Sequence, residues 1–251
     1  MFRPRIIPVL LMQNQVLVKS KNFNKYRYIG DPINAVKIFN DLKVDEIILL
    51  DIDATKEKRT ISLDFVRSLG EETNMPFSVG GGINSINQAR EILSSGAEKV
   101  IIGSHALEDP NFIKLLSDYF GSSTIVVCID VKNNFFRRGR VWSHNGRKVS
   151  KYSPVDFAKL MEEKGAGEVI IQSIPNDGLM SGYDIELINN ISSSVTIPVV
   201  ALGGAGNLEH LRDVYENGLA SAMAAGSLFV FQGPKRGVLI NYPDNSSAIF
   251  S

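Results

Sequence analysis

Val79-Gly80-Gly81-Gly82-Ile83-Asn84 and its echo Leu202-Gly203-Gly204-Ala205-Gly206-Asn207, roughly half a chain later, decide how this sequence folds. Each run follows a short apolar stretch opened by proline, Pro76-Phe77-Ser78 in one case and Pro198-Val199-Val200-Ala201 in the other, and each leads into a helical pattern, over residues 88–93 and 208–213. The pattern is strand, glycine turn and helix N-terminus, twice. Glycine lets the backbone come close to a ligand, and the free N–H groups and dipole of the following helix favour an anion. Two such turns point to one ligand with two phosphates. The blander reading, that the glycines only shape tight turns, is weaker for a matched pair than for either run alone.

Outward from these runs the elements alternate. The apolar segment Ile6-Ile7-Pro8-Val9-Leu10-Leu11-Met12 reads as a first strand, because it is too short and lacks the small-residue cleavage site of a signal peptide. The polar segment Gln13 to Gly30 reads as a long loop, and loops of that length are often functional lids. Asp31-Pro32 opens a helix to about Leu42 with an oxygen cap and a proline in the first turn. Glu46-Ile47-Ile48-Leu49-Leu50-Asp51 is a continuous apolar run, as expected of a parallel strand buried on both faces. Helix 59–72, strand 76–80, helix 85–95, strand 99–103 and helix 110–120 complete one half. Strand 124–131, an insertion 132–152, helix 154–164, strand 168–173, helix 184–193, strand 197–202, helix 207–217 and strand 221–225 make the second.

The halves match residue by residue: Gly96-Ala97-Glu98-Lys99-Val100 answers Gly218-Leu219-Ala220-Ser221-Ala222, and Gly103-Ser104 answers Gly226-Ser227. Eight βα units in two similar halves, about 1–122 and 123–232, predict an α/β fold: one (βα)8 TIM barrel domain with an internal twofold repeat and its site at the C-terminal ends of the strands. The tail 233–251, with Val238-Leu239-Ile240-Asn241-Tyr242-Pro243, reads as extended chain in place of an eighth helix.

At 251 residues the chain has the length of a single barrel. Lys plus Arg and Asp plus Glu are both 27, so no global charge argues for nucleic acid or an anionic membrane. A small-molecule or protein partner is the better expectation. The single cysteine, Cys128, excludes a disulfide framework and a cysteine metal cluster and fits a reducing cytoplasm. No run approaches the length of a membrane span. His105, His144 and His210 lack metal-ligand spacing and read as surface histidines, so neither metal nor cofactor is expected. The segment Phe135-Phe136-Arg137-Arg138-Gly139-Arg140 with Arg147-Lys148 reads as a basic, solvated hairpin, or alternatively as a phosphate or nucleotide-sugar contact.

Setting the first strand on the fifth pairs Ile7-Pro8-Val9-Leu10-Leu11 with Val126-Val127-Cys128-Ile129-Asp130. Asp130 stands at a strand end beside a double-phosphate site and is a candidate general acid or base, or else a structural partner of Lys132.

Here the chain resembles the cyclase subunit family of imidazole glycerol phosphate synthase, over nearly all of residues 1–232. The motifs that carry the resemblance include Arg5-Ile6-Ile7-Pro8, Gly30-Asp31-Pro32, Leu50-Asp51-Ile52, Gly165-Ala166-Gly167-Glu168, Asp177-Gly178 and Gly182-Tyr183-Asp184 beside the glycine runs. The resemblance implies phosphate contacts at Gly82, Gly103, Ser104, Asp177 and Gly178 on one side and at Gly203, Gly204, Ala225 and Gly226 on the other. It implies a catalytic pair of aspartates at the ends of the first and fifth strands. Only Asp130 is present; Leu11 holds the other place, and leucine can neither donate nor accept a proton. Further departures are Gly103, Gln172, Leu202, Gln15 and Ser20, whereas Lys19 is retained in the strand 1 loop. At the opposite mouth, Arg5, Glu46, Lys99 and Glu168 match the family's ring of four charges past which ammonia from a docked glutaminase enters.

Three readings follow. The leading one is a paralogue that keeps a glutaminase partner and ammonia passage, has impaired cyclase chemistry, and supplies a sugar amidotransferase making acetamidino groups for surface polysaccharide. The second is a histidine-pathway cyclase in which Lys19 or Asp51 stands in for Leu11. The third is a phosphate-ligand-binding scaffold.

Overall fold

The structure is a computed structural model that describes residues 4–133 and 139–243. Among them the elements run β1 (Arg5–Gln13), β2 (Val16–Lys21), β3 (Asn24–Gly30), α1 (Pro32–Asp41), β4 (Ile47–Asp51), α2 (Leu63–Glu72), β5 (Phe77–Gly80), α3 (Ile86–Ser94), β6 (Lys99–Ile102), α4 (Ser104–Glu108), α5 (Asn111–Phe120) and β7 (Ile125–Asn133). The second half continues with β8 (Gly139–Ser143), β9 (Lys148–Val149), α6 (Pro154–Glu163), β10 (Glu168–Ser173), α7 (Ile185–Ser192), β11 (Val199–Leu202), α8 (Leu208–Glu216), β12 (Ala222–Ala225), α9 (Ser227–Val230), β13 (Phe231–Gln232) and β14 (Gly237–Val238). Eight of these strands pair in parallel in the order β10-β11-β12-β1-β4-β5-β6-β7, and a further β10–β7 pairing closes the ring. The expected TIM barrel is therefore closed.

Helix starts follow the local chemistry. Asp31 accepts from Asn34 N at 2.8 Å with Pro32 next to it, Ser85 caps α3, and Asn207 caps α8, each with a side-chain oxygen on an otherwise unpaired N–H. The interior is apolar: Ile7, Val9, Ile48, Ile101, Val126, Ile170, Val200 and Leu202 form one cluster inside the ring, with Leu11, Leu50 and Cys128 packed on it. A larger apolar layer, including Phe39, Phe157 and Phe229, lies between sheet and helices. Alternate residues of each strand face the two layers, as the twofold side-chain period of a strand requires.

The segment from Gln13 to Gly30 corrects the sequence expectation. Rather than a loop it is the antiparallel pair β2–β3, whose β2 also pairs with β1 at Leu11–Val18, Met12–Leu17 and Gln13–Val16. The matching insertion of the second half repeats the device: β8 pairs with β7, Asp130 opposite Trp142, and β9 pairs with β8. Residues 134–138 of the basic hairpin lie outside the described residues. Helix α2 starts at Leu63, not at 59, because Ser62 supplies the cap, and Thr55, Lys58 and Arg59 of the preceding loop line the site instead. The short helices α4 and α9 were not legible as helical patterns.

No helix follows β12 beyond α9 among the described residues, in line with the tail reading. The tail pairs β13 with β14, Leu239 N donates to Val230 O at 3.0 Å, and the Tyr242 hydroxyl donates to Ile6 O at 3.1 Å. It covers the wall where an eighth helix would pack.

Candidate active site

The C-terminal ends of the barrel strands surround a cavity of about 490 Å³. All nine residues singled out for phosphate contact, and Leu11, Lys19 and Asp130 with them, line it. The two glycine runs face each other across it, since β5–β6 and β11–β12 stand four strands apart in a ring of eight. Gly82 has φ +68°, and a methyl group there would collide with the Arg59 carbonyl oxygen. Part of the glycine requirement is thus local. At Gly103 a methyl group would meet nothing within 4 Å, so that glycine opens space toward the cavity instead.

Asp130 projects from β7 beside Cys128, whose Sγ lies 3.8 Å from its Oδ1. Burial, reinforced by the charge of Asp177, pushes the Asp130 carboxyl up to about 7, although the Cys128 contact works the other way. Lys132, its alternative partner, lies over the Trp142 ring instead. Burial likewise raises the Cys128 thiol well above its ordinary range, so it is a poor nucleophile at neutral pH.

Leu11 pairs with Leu50 on β4 and with Val18 on β2. Asp51 holds the Arg59 guanidinium at 2.5 Å and accepts from the N–H groups of Asp53 and Ala54, which commits both its oxygens. Lys19 is the polar group that does reach this part of the barrel: it is 6% exposed and its Nζ donates to Val9 O. Burial lowers its amine to about 8, with Asp177 opposing.

Asp177 accepts from the Ser20 hydroxyl at 2.7 Å and from Gln172 Nε2 at 3.2 Å. Its carboxyl is raised by burial against these hydrogen bonds. A carboxylate so engaged is an unusual phosphate neighbour, and Gly178 beside it offers backbone instead. Sequence reasoning missed several lining residues. Arg59 and Lys58 come from the loop before α2, while His105 and His144 flank Glu108, at 3.4 and 3.5 Å. The two histidines therefore belong to the cavity rim rather than to a plain surface. Their convergence joins α4 to the β8–β9 turn across about forty residues, which no local pattern signals. His210 stays apart, its Nδ1 accepting from Gly206 N at 3.1 Å.

At the other end of the barrel Arg5, Glu46, Lys99 and Glu168 form a closed ring. Arg5 bridges Glu46 and Glu168, Lys99 bridges the same two carboxylates at 3.4 and 2.9 Å, and Ser78 Oγ donates to Glu46 at 2.7 Å. Both carboxylates are buried while the cations keep partial access to solvent. Burial works against the Arg5 charge, but Glu168 and Glu46 outweigh it and hold the guanidinium above its ordinary range.

A family model described as "Histidine biosynthesis protein" matches residues 5–233, which include the barrel strands and both mouths just described. The chain belongs to this family. Among its relatives, a Pseudomonas aeruginosa protein provisionally named imidazole glycerol phosphate synthase subunit hisF2 is 45% identical, over 97% of each chain. A Leptospira interrogans protein with the provisional name HisF is 45% identical over the full length of both. The imidazole glycerol phosphate synthase subunit HisF of Chlorobium phaeobacteroides is 40% identical over 92% of each. Within this HisF-like family the chain is thus similar to provisionally named subunits as well as to a protein named as the synthase subunit itself.

Among the described residues no group of three or more His, Cys, Asp or Glu side chains could hold a metal ion, and no helix is long and apolar enough to cross a membrane.

Proposed function

We propose that this barrel is a synthase-type subunit that receives ammonia from a docked glutaminase and delivers it to its cavity, with the cyclase step itself impaired. One contrast carries the reading. The ring of Arg5, Glu46, Lys99 and Glu168 is complete, whereas Leu11 holds the strand end that the repeat sets against Asp130, and two further carboxylates of the cavity, Asp51 and Asp177, are engaged by Arg59 and by Ser20 and Gln172. Burying two carboxylates against partly exposed cations is costly and weak as a stability device, so a complete ring at the barrel stem favours a role in passage. The apolar interior beyond it admits neutral ammonia and disfavours ammonium. The glycine turns, with Ser104 and Gly178, hold a ligand carrying two phosphates; Asp130 and Lys19 are the groups able to move protons beside it. Ammonia leaving this cavity serves a sugar amidotransferase that builds acetamidino groups for a surface glycan, in a reducing cytoplasm.

The test pairs the purified chain with a glutaminase subunit and a sugar amidotransferase from the same organism and with glutamine labelled in the amide nitrogen. Label is expected in the amidotransferase's sugar product and is expected to fall at least about tenfold in Arg5→Ala or Lys99→Ala. With ammonium salt and the histidine pathway's ribonucleotide, wild type is expected to turn over slowly. Leu11→Asp is expected to raise that rate by about 10²–10⁴, the usual contribution of a placed acid or base. Turnover by wild type at ordinary cyclase rates would overturn the reading. It would support a second one, in which Lys19 takes the place of the absent aspartate; the buried amine near 8 beside a carboxyl near 7 favours it. Lys19→Met would then abolish that turnover.

A further inference from the structure

Two positions at which the chain departs from the family resemblance, Ser20 and Gln172, meet at one carboxylate. Ser20, at the end of β2, donates to Asp177 Oδ2 at 2.7 Å, and Gln172, on the barrel wall in β10, donates to Asp177 Oδ1 at 3.2 Å. The turn between β2 and β3 adds to the same junction. Phe23 N donates to Asp177 Oδ2 at 3.4 Å and Asn22 N to Asp177 O at 3.0 Å. The Asn22 amide donates to the carbonyls of Ile174 and Pro175, at 3.1 and 2.6 Å. The tip of the hairpin is therefore tied to the loop after β10 by side chains and backbone together.

Lys19 is the residue next to this junction. It is buried, its Nζ donates to Val9 O, and Gly226 leaves the space that the end of its side chain fills. An ammonium taken out of water needs compensation, and here the compensation is one carbonyl and the nearby charge of Asp177. That seat exists only while hairpin and Asp177 stay together. A glycine at 20 would supply no side-chain donor, and the Gln172 amide reaches from β10 to the Asp177 oxygen that Ser20 leaves free.

We infer that Ser20 and Gln172 are positioning residues: gripping Asp177 from two sides, they latch the β2–β3 hairpin over the cavity and keep the Lys19 amine seated inside the barrel before any ligand arrives. The inference goes beyond the proposed function and stands for an ammonia conduit and a cyclase alike, because it concerns where the amine is held and not what it reacts with.

Amine acetylation followed by peptide mass spectrometry tests it in the full-length chain without ligand or partner. Lys21, exposed two residues further along β2, is the reference, and Lys99 at the opposite end of the barrel is the control for folding. Lys19 in wild type is expected to react at least about tenfold more slowly than Lys21, equivalent to about 1.4 kcal/mol. The double variant Ser20→Ala, Gln172→Leu is expected to bring Lys19 within threefold of Lys21 while Lys99 keeps its rate. Ser20→Thr, which retains the hydroxyl, is expected to keep the protection. A Lys19 as reactive as Lys21 in wild type, or still tenfold protected in the double variant, would overturn the inference. Hydrogen exchange on wild type needs no variant: the Asn22 amide must exchange at least about tenfold more slowly than that of Lys25, and equal rates would overturn the latch just as plainly.

Discussion

A carboxyl near 7 and an amine near 8 share one cavity, and both owe their values first to burial. For Asp130 the sign is definite. Its native value lies above the ordinary 3.8, so the folded chain keeps a proton that the unfolded chain releases, and stability is full below about pH 4 and falls as pH rises to about 7. The gap of about 3 pH units sets a ceiling near 4 kcal/mol. Asp130 is ringed by protein yet keeps one face on the cavity, so water screens part of this and about 2 kcal/mol is the expected size. Asp130→Asn should therefore melt close to wild type at pH 4 and be the more stable protein at pH 8, by about 2 kcal/mol, in paired thermal scans. That Leu11 is set against Asp130 was legible in the sequence, because aligning the first strand on the fifth pairs them. What surrounds it was not, because Lys19 arrives from a strand that the residue pattern concealed.

At the scale of elements, two glycines that line the same cavity behave differently in space. Gly82 sits at φ +68° against the Arg59 carbonyl, and Gly103 meets nothing within 4 Å. Gly82→Ala should cost about 2–4 kcal/mol, from a left-handed backbone and an overfilled contact, and should disturb the Lys58–Arg59 loop. Gly103→Ala should stay within about 0.5 kcal/mol of wild type and show its effect in binding of a bis-phosphorylated ligand instead. Melting and calorimetric titration of the two variants separate the roles. The hairpins β2–β3 and β8–β9 were only partly legible. In β3 every residue from Asn24 to Tyr28 is exposed, so it lacks the alternation of a half-buried strand, and its partner is fixed by pairing rather than by burial. The basic insertion suggested a hairpin, but its pairing with β7 opposite Asp130 depends on register.

Across the whole molecule, the tail replaces a helix with a strap that ends on the barrel's first strand. The Tyr242 hydroxyl donates to Ile6 O at 3.1 Å and lies 3.3 Å from Asp45 Oδ2, while its ring packs on Phe229 at 5.5 Å between centroids. Tyr242→Phe keeps the ring and removes the hydroxyl, so denaturant titration should show a loss of about 1–2 kcal/mol with an unchanged slope. By itself the sequence determined the barrel, the family, the pairing of Leu11 with Asp130 when the first strand is set on the fifth, and the presence of four charged residues at the starts of strands. These are written in periodicity and in short motifs, since strand and helix periods and glycine turns are local properties. Tertiary structure decided that the four charges close into a ring, that Asp51 is committed to Arg59, that His105 and His144 share Glu108 at the rim, and that Ser20 and Gln172 meet at Asp177. The partners in these contacts stand from three to 163 residues apart, and for the distant ones closure of the sheet, with the loops it carries, is what brings them within hydrogen-bonding distance.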